Sequence, residues 1–252
     1  MLIVADVHGE FESLGRLAKT GEPLLVLGDL INYVDYRTMD GIAADVLGTE
    51  FVRQVAGFRA TGDYEASRAL WRENMAGRES EIRRKIAELV HDQYEQTRRA
   101  LDGGISYVTY GNVDSPDALR ACLPDGSTFV DGDVVEIEGF RVGFVGGGAP
   151  TPLGVPGEVS EEAMAEKLDR IGPVDILCSH VPPALVALRT DVITGRAEGC
   201  SEAIRIYLAQ HQPAYHYFGD IHQPQASRWR VGKTRCVNVG YFRATRLAIR
   251  HA

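Results

Sequence analysis

The sequence predicts an α/β fold, and three observations carry that expectation. Short apolar runs of β-forming residues alternate with helical stretches from the first residues onward, the rhythm of βαβ units. Five such runs end in or just before Asp, Asn or His, as in Leu25-Val26-Leu27-Gly28-Asp29. The chain has 252 residues, 44% hydrophobic and 25% charged, enough to bury the core of one large domain.

Taken in order, residues 1–32 read as a strand over 2–5, a helix over 10–19 and a strand over 24–27. Phe11, Leu14, Leu17 and Ala18 share one face of that helix. Residues 37–102 then break the rhythm and read as a helical insertion. Ile82, Ile86, Leu89, Val90, Tyr94 and Leu101 recur at helical spacing, and Ile42, Val46, Val52, Val55 and Phe58 form a looser pattern. Three roles are open to this insertion: helices packed on the sheet, a contact that makes a homo-oligomer, or a cap that shapes substrate access. Arg72, Arg78, Arg83 and Arg84 are expected on a solvated helix face. Beyond Asn112 the pattern becomes β-rich, with a hairpin over 134–145 and a flexible glycine turn over 146–150. That turn is no P-loop, since no Gly-Lys-Ser/Thr follows. A helix over 160–170, a strand over 175–178, a helix over 201–210 and a strand over 215–218 come next. Residues 226–230, 235–239 and 245–250 read as antiparallel strands. With no repeat, low-complexity segment or linker, residues 1–252 are expected to form a single domain.

The net charge of −8 argues against bulk nucleic-acid or anionic-membrane binding. Cys122, Cys178, Cys200 and Cys236 are widely spaced and are expected to be reduced thiols. No signal-like segment opens the sequence, and no apolar run approaches a membrane span, so a cytoplasmic location is expected.

The chemistry gathers at the strand ends. Ile3-Val4-Ala5-Asp6-Val7-His8-Gly9 runs an apolar strand into a carboxylate and an imidazole two residues apart, a spacing that lets both reach one ion. Val108-Thr109-Tyr110-Gly111-Asn112-Val113-Asp114, Ile176-Leu177-Cys178-Ser179-His180 and Tyr217-Phe218-Gly219-Asp220-Ile221-His222 are built alike. With Gly28-Asp29, this series resembles the calcineurin-like metallophosphoesterase superfamily, whose motifs run Asp-x-His, Gly-Asp, Gly-Asn-His-Asp/Glu, His and Gly-His-x-His. The match spans Asp6 to His222 in family order and is closest to small prokaryotic members of phosphodiesterase type. The resemblance implies an αββα sandwich of two mixed sheets flanked by helices, with the site at the strand ends. It also implies two metal ions bridged by Asp29. Asp6, His8 and His222 would complete one site, and Asn112, His180 and Asp220 the other. Mixed nitrogen and oxygen ligation without thiolate suits Mn, Fe, Zn or Ni, with Mn and Fe favoured. Cys178 reads as a small core residue. His91, His211, His216 and His251 read as structural or surface residues.

Two departures from the family pattern matter. Asp220 stands where the last motif has its first histidine, a harder and anionic ligand. Val113 stands where many members carry a histidine that contacts phosphate, and valine can neither move a proton nor stabilise an anion. Asp29, Asn112 and Asp114 are the expected catalytic positions, Asp114 as an orienter of its loop. The resulting expectation is a metal-dependent hydrolase that cleaves a small phosphodiester by attack of a hydroxide shared between two metals. A phosphomonoesterase of the same fold is the first alternative. The second is a non-catalytic scaffold, since a protein of the retromer coat resembles this fold and serves in assembly.

Overall fold

The computed structural model describes residues 1–151, 154–193 and 195–251. It opens with β1 (Leu2–Val4), α1 (Phe11–Ala18) and β2 (Leu24–Leu27). Four helices follow, α2 (Ile42–Leu47), α3 (Thr49–Thr61), α4 (Tyr64–Met75) and α5 (Glu79–Leu101). Next come β3 (Ser106–Thr109), α6 (Pro116–Cys122), β4 (Ser127–Phe129), β5 (Asp133–Ile137) and β6 (Phe140–Val145). Then α7 (Glu161–Ile171), β7 (Ile176–Ser179), α8 (Val186–Arg189), α9 (Glu202–His211) and β8 (Tyr215–Phe218) lead to the last segment. That segment holds β9 (Arg228–Val231), β10 (Thr234–Asn238), α10 (Phe242–Thr245) and β11 (Ile249–Arg250).

Two mixed sheets result, ordered β11-β1-β2-β3-β4 and β5-β6-β7-β8-β10-β9. Side-chain alternation explains why they stack with helices outside. Ile3, Leu25 and Leu27 point inward to meet Phe144, Ile176, Cys178 and Tyr217 of the second sheet. Their neighbours Leu2, Val4, Leu24 and Val26 point outward against Leu14 of α1, Tyr94 and Leu101 of α5, and Leu119 of α6. Leu177 and Phe218 likewise meet Met164 and Leu168 of α7 and Ile204 and Leu208 of α9. This is the αββα sandwich. The serines expected to open two helices are their caps: Ser160 accepts from Ala163 N–H and Ser201 from Ile204 N–H.

The insertion divides in two. Helix α5 belongs to the outer layer, with Tyr94, Ala100 and Leu101 in the first sheet's core. Helices α2 to α4 build a small core of their own around Ala43, Phe51, Val52 and Val55, with Trp71 packed on it. The looser pattern of residues 42–58 is two helices because Gly48, at φ 92°, separates them. Helix α4, which sequence periodicity does not single out, begins at the Asp63 cap.

Three expectations need correction. The glycine run 146–148 is buried rather than a flexible turn, bonded through Gly147 N–H to Tyr110 O and through Gly148 N–H to Gly157 O. Strand β10 is antiparallel to β9 but parallel to β8. Of residues 245–250, Thr245 ends α10, and Ile249–Arg250 pairs antiparallel with β1 in the other sheet. Among the described residues, no helix is long and apolar enough to cross a membrane.

One buried histidine makes the fold acid-sensitive. His216 on β8 has Nε2 2.8 Å from Ser179 Oγ, and burial pushes its imidazole down to about 3 from 6.5. Above pH 6.5 neither the folded nor the unfolded chain binds this proton. As pH falls towards 3, the unfolded chain takes it up alone, removing about 1.4 kcal/mol of stability per pH unit. Denaturant unfolding at pH 7, 6 and 5 should show that slope diminished by one proton in His216→Leu. Identical slopes would assign the acid sensitivity elsewhere.

Candidate metal centre

Loops at the C-terminal ends of β1, β2, β3, β7 and β8 bring Asp6, His8, Asp29, Asn112, His180, Asp220 and His222 to one locus. Asp29 is central: Oδ2 lies 3.6 Å from His8 Nε2, and Oδ1 lies 3.5 Å from His180 Nε2. His180 Nε2 is 3.7 Å from Asp220 Oδ1, and His222 Nε2 is 3.8 Å from Asp6 Oδ1. Two groups have the spacing of metal ligands, Asp6 with His8 and His222, and Asp6 with Asp29 and His180. Asp6 belongs to both groups, and Asp29 also reaches a histidine of each, His8 and His180.

The backbone is bent to achieve this. Asp6, His8, Asp29 and Asp220 take the left-handed conformation, at φ 58°, 41°, 53° and 67°. Such residues cost about 1–3 kcal/mol each and cluster where a site requires them. Close backbone approach is needed too. A Cβ at Gly111 would lie 2.0 Å from Asp29 Oδ1, and one at Gly240 would lie 2.0 Å from Asp6 Oδ2.

Second partners fix which nitrogen faces the cluster. His8 Nδ1 lies 3.3 Å from Ile31 O and His180 Nδ1 2.9 Å from Leu27 O, so each gives its Nδ1 proton to a carbonyl and presents Nε2 inward. Asp29 also accepts from Val113 N–H at 3.1 Å, and Asp6 from Asp220 N–H at 3.1 Å.

Titration in this buried cluster is sharply split. Burial pushes Asp6 up to about 8, reinforced by the negative Asp29 and Asp220 and opposed by His180. Burial likewise pushes Asp220 up to about 6, with His180 opposing. For Asp29 burial also acts upward, but the charge and hydrogen bond of His180, with His8 and Val113 N–H, hold it below the carboxylate range. Burial disfavours charge on all three imidazoles, yet Asp29, Asp220 and Asp6 reverse this at His180 and hold it well above the ordinary value. His8 is lowered by burial, and His222 is lowered further with help from His8 and Arg37.

These residues fit a cation. Asp6 Oδ2 is buried without a hydrogen-bond partner. His8 and His222 bring their Nε2 atoms to 3.2 Å, which requires a proton or a cation between them. The Asn112 amide lies 3.3 Å from His180 Nε2, and turning it lets its nitrogen donate to Asp29 Oδ2 at 3.0 Å. The donors are nitrogen and oxygen, as expected for Mn, Fe, Zn or Ni.

Asp114 stands outside the cluster. Its buried carboxylate accepts from Leu30 N–H and Gly111 N–H at 3.0 Å and from Ile31 N–H at 3.4 Å, tying the loop after β2 to the loop after β3. Burial and Asp29 push it up to about 6. Cys178 lies in the core between the sheets, and His216 on Ser179; His91 and His211 are exposed.

Sequence reasoning missed the supports of the cluster. Tyr241 stacks on His222 at 3.9 Å between ring centres and donates to Asp35. Arg243 donates to His8 O and pairs with Asp40 at 2.7 Å. Tyr241 follows β10 through Val239 and Gly240, as Asp220 follows β8 through Gly219, so its position was open to detection. Asp35 and Asp40 carry no such mark.

From the cluster a cavity of about 920 Å³ extends into the insertion, where Phe51, Val52, Val55 and Trp71 line it. Arg72 lines it as well, so that arginine is more than part of a solvated face. The chain matches no family model and no curated protein.

Asp114→Ala should destabilise the protein by about 2–4 kcal/mol, because three backbone N–H groups lose their buried acceptor. The denaturant midpoint at pH 7 measures this. A change under about 0.5 kcal/mol would show that water replaces the carboxylate.

Proposed function

We propose that the protein is a phosphoesterase of calcineurin-like type that holds two metal ions and hydrolyses a small phosphodiester. The observation that carries this reading is the strained convergence of seven ligand-type side chains from strand ends of both sheets. A structural network would have no use for two buried carboxylates, Asp6 and Asp29, focused with the half-buried Asp220 and leaving one Asp6 oxygen orphaned. The non-catalytic scaffold is disfavoured on the same ground, since assembly does not require this strain.

When bound, the ions supply a nucleophile at neutral pH and offset charge on the phosphoryl oxygens. The chain's own part is to place and neutralise. Asp29 offers one oxygen toward His8 and the other toward His180, so one carboxylate serves both halves of the site. Ile31 O and Leu27 O hold the two imidazoles in the tautomer that leaves Nε2 free for ligation. Asp6, adjoining both groups, adds charge shared between them. Asp220 lies near His180, so the departure from histidine keeps a ligand atom in reach.

Val113 lines the cavity beside Asn112 and offers no proton to a departing alkoxide. A diester, with one negative charge, asks less of such a site than a dianionic monoester, which favours phosphodiesterase over phosphomonoesterase. Four free cysteines support a reducing, cytoplasmic setting. The substrate is a small phosphate ester rather than nucleic acid or a membrane surface, in keeping with the net charge of −8.

Hydrolysis of bis-p-nitrophenyl phosphate with Mn²⁺ tests the reading, and Asp29→Asn should lower kcat/KM by about a thousandfold or more. Activity retained in that variant would remove Asp29 from the centre. The rate should also fall steeply as the leaving alcohol becomes more basic, and Val113→His should raise monoester relative to diester hydrolysis. A flat dependence on leaving-group pKa would show that another residue supplies the proton.

A further inference from the structure

The cavity is larger and more apolar than a phosphoryl group and a small alcohol require. At about 920 Å³ it lies near the top of the range for ligand pockets. His8, Asp29 and Asn112 line one part of it and Phe51, Val52, Val55 and Trp71 another, so chamber and ligand cluster share one space. Ile86 and Val90 of α5 add aliphatic wall. Helix α2 packs against α5, but Phe51, Val52 and Val55 of α3 and Trp71 of α4 face a void beside α5, where an ordinary helical layer would close.

The chemistry of the wall selects among occupants. Reading a nucleobase takes hydrogen-bonding groups directed at its edge, as well as a ring to stack on. Among the described residues, the insertion's part of the lining carries no Asn, Gln, Ser or Thr side chain. Its polar groups are Glu65 and three arginines, with Tyr33 and Tyr36 lining the cavity just before the insertion. Arg59 stands 4.8 Å over the Tyr36 ring. Arg68 and Arg72 sit one turn apart on α4, exposed at the rim, without an ion pair among the described residues. An apolar chamber, part aliphatic and part aromatic, with a cationic rim complements an anionic amphiphile.

Resting on the phosphodiesterase reading, we infer that the substrate is an amphiphilic phosphodiester whose long hydrocarbon arm occupies the chamber between α3, α4 and α5, with its phosphate at the ligand cluster. The insertion then sets specificity by the length of the ester arm.

A series of p-nitrophenyl alkyl phosphates, from methyl to dodecyl and below micellar concentrations, tests this with the Mn²⁺-loaded protein. The expected result is a rise in kcat/KM of about fourfold per added methylene over the first several carbons. Ile86→Arg, at a half-buried wall position outside the small core of α2 to α4, should flatten the series by bringing kcat/KM of the long esters down towards that of the methyl ester. A flat series in the unsubstituted protein, with the methyl ester still cleaved, would overturn the chamber assignment and leave the metal reading standing. Binding is read separately in metal-free Trp229→Phe protein, where Trp71 is the sole tryptophan. Dodecyl methyl phosphate should shift Trp71 emission saturably, and the methyl ester should not. If no ester is hydrolysed, the phosphodiesterase reading fails and this titration decides the chamber alone: a saturable shift upholds it, and no shift overturns it.

Discussion

Three carboxylates that share one buried locus set the terms for the rest of this structure. Asp6, Asp29 and Asp220 cannot all remain ionised there without positive charge beside them. Without a bound ion, His180 holds a proton and serves as that charge, which is why it is raised while His8 and His222 are lowered. A cation pair would relieve the same demand more completely, freeing His180 to ligate as a neutral imidazole. The two β-sheets exist, in functional terms, to hold these groups against their mutual repulsion.

Holding them requires rigid supports. The sheets provide parallel strands whose ends cannot move independently, with Ile3 and Leu25 locked against Phe144 and Tyr217 in the core between them. Asp114 ties the loops after β2 and β3, and Arg243 ties the loop of His8 to Asp40. Glycine at 111 and 240 admits the Asp29 and Asp6 carboxylates where any side chain would collide. The left-handed residues of the cluster concentrate the strain, and the surrounding core supports it.

Much of this was legible in the sequence because each ligand follows an apolar run, and alternation along a strand fixes which residues face inward. Leu2 to Val4 and Leu24 to Leu27 could therefore be read directly, as could α7 and α9 from Ser160 and Ser201. The sandwich itself came from the family resemblance, not from periodicity, as did the roles proposed for Asp29 and Asn112. The supports were illegible for a physical reason. Asp35, Asp40 and Arg243 act through contacts between distant segments, and nothing local distinguishes them from surface charges. The same holds for residues 146–148, whose glycines read as a loop yet are buried, Gly146 against Tyr110 and Gly148 against Asn112. The insertion was visible as helices, but amphipathicity alone does not tell a helix facing the core from one facing a cavity.

The central claim is that this cluster is a metal centre. It is tested most directly by counting ions. The protein, stripped with chelator, reloaded with Mn²⁺ and freed of unbound ion, is analysed for bound metal. The account predicts two ions per chain, with loss of both occupancy and its associated thermal stabilisation when Asp6 and Asp29 are replaced together. A chain that retains no Mn²⁺, Fe²⁺ or Zn²⁺ after such loading would contradict it, and would mark the cluster as a proton-balanced structural network.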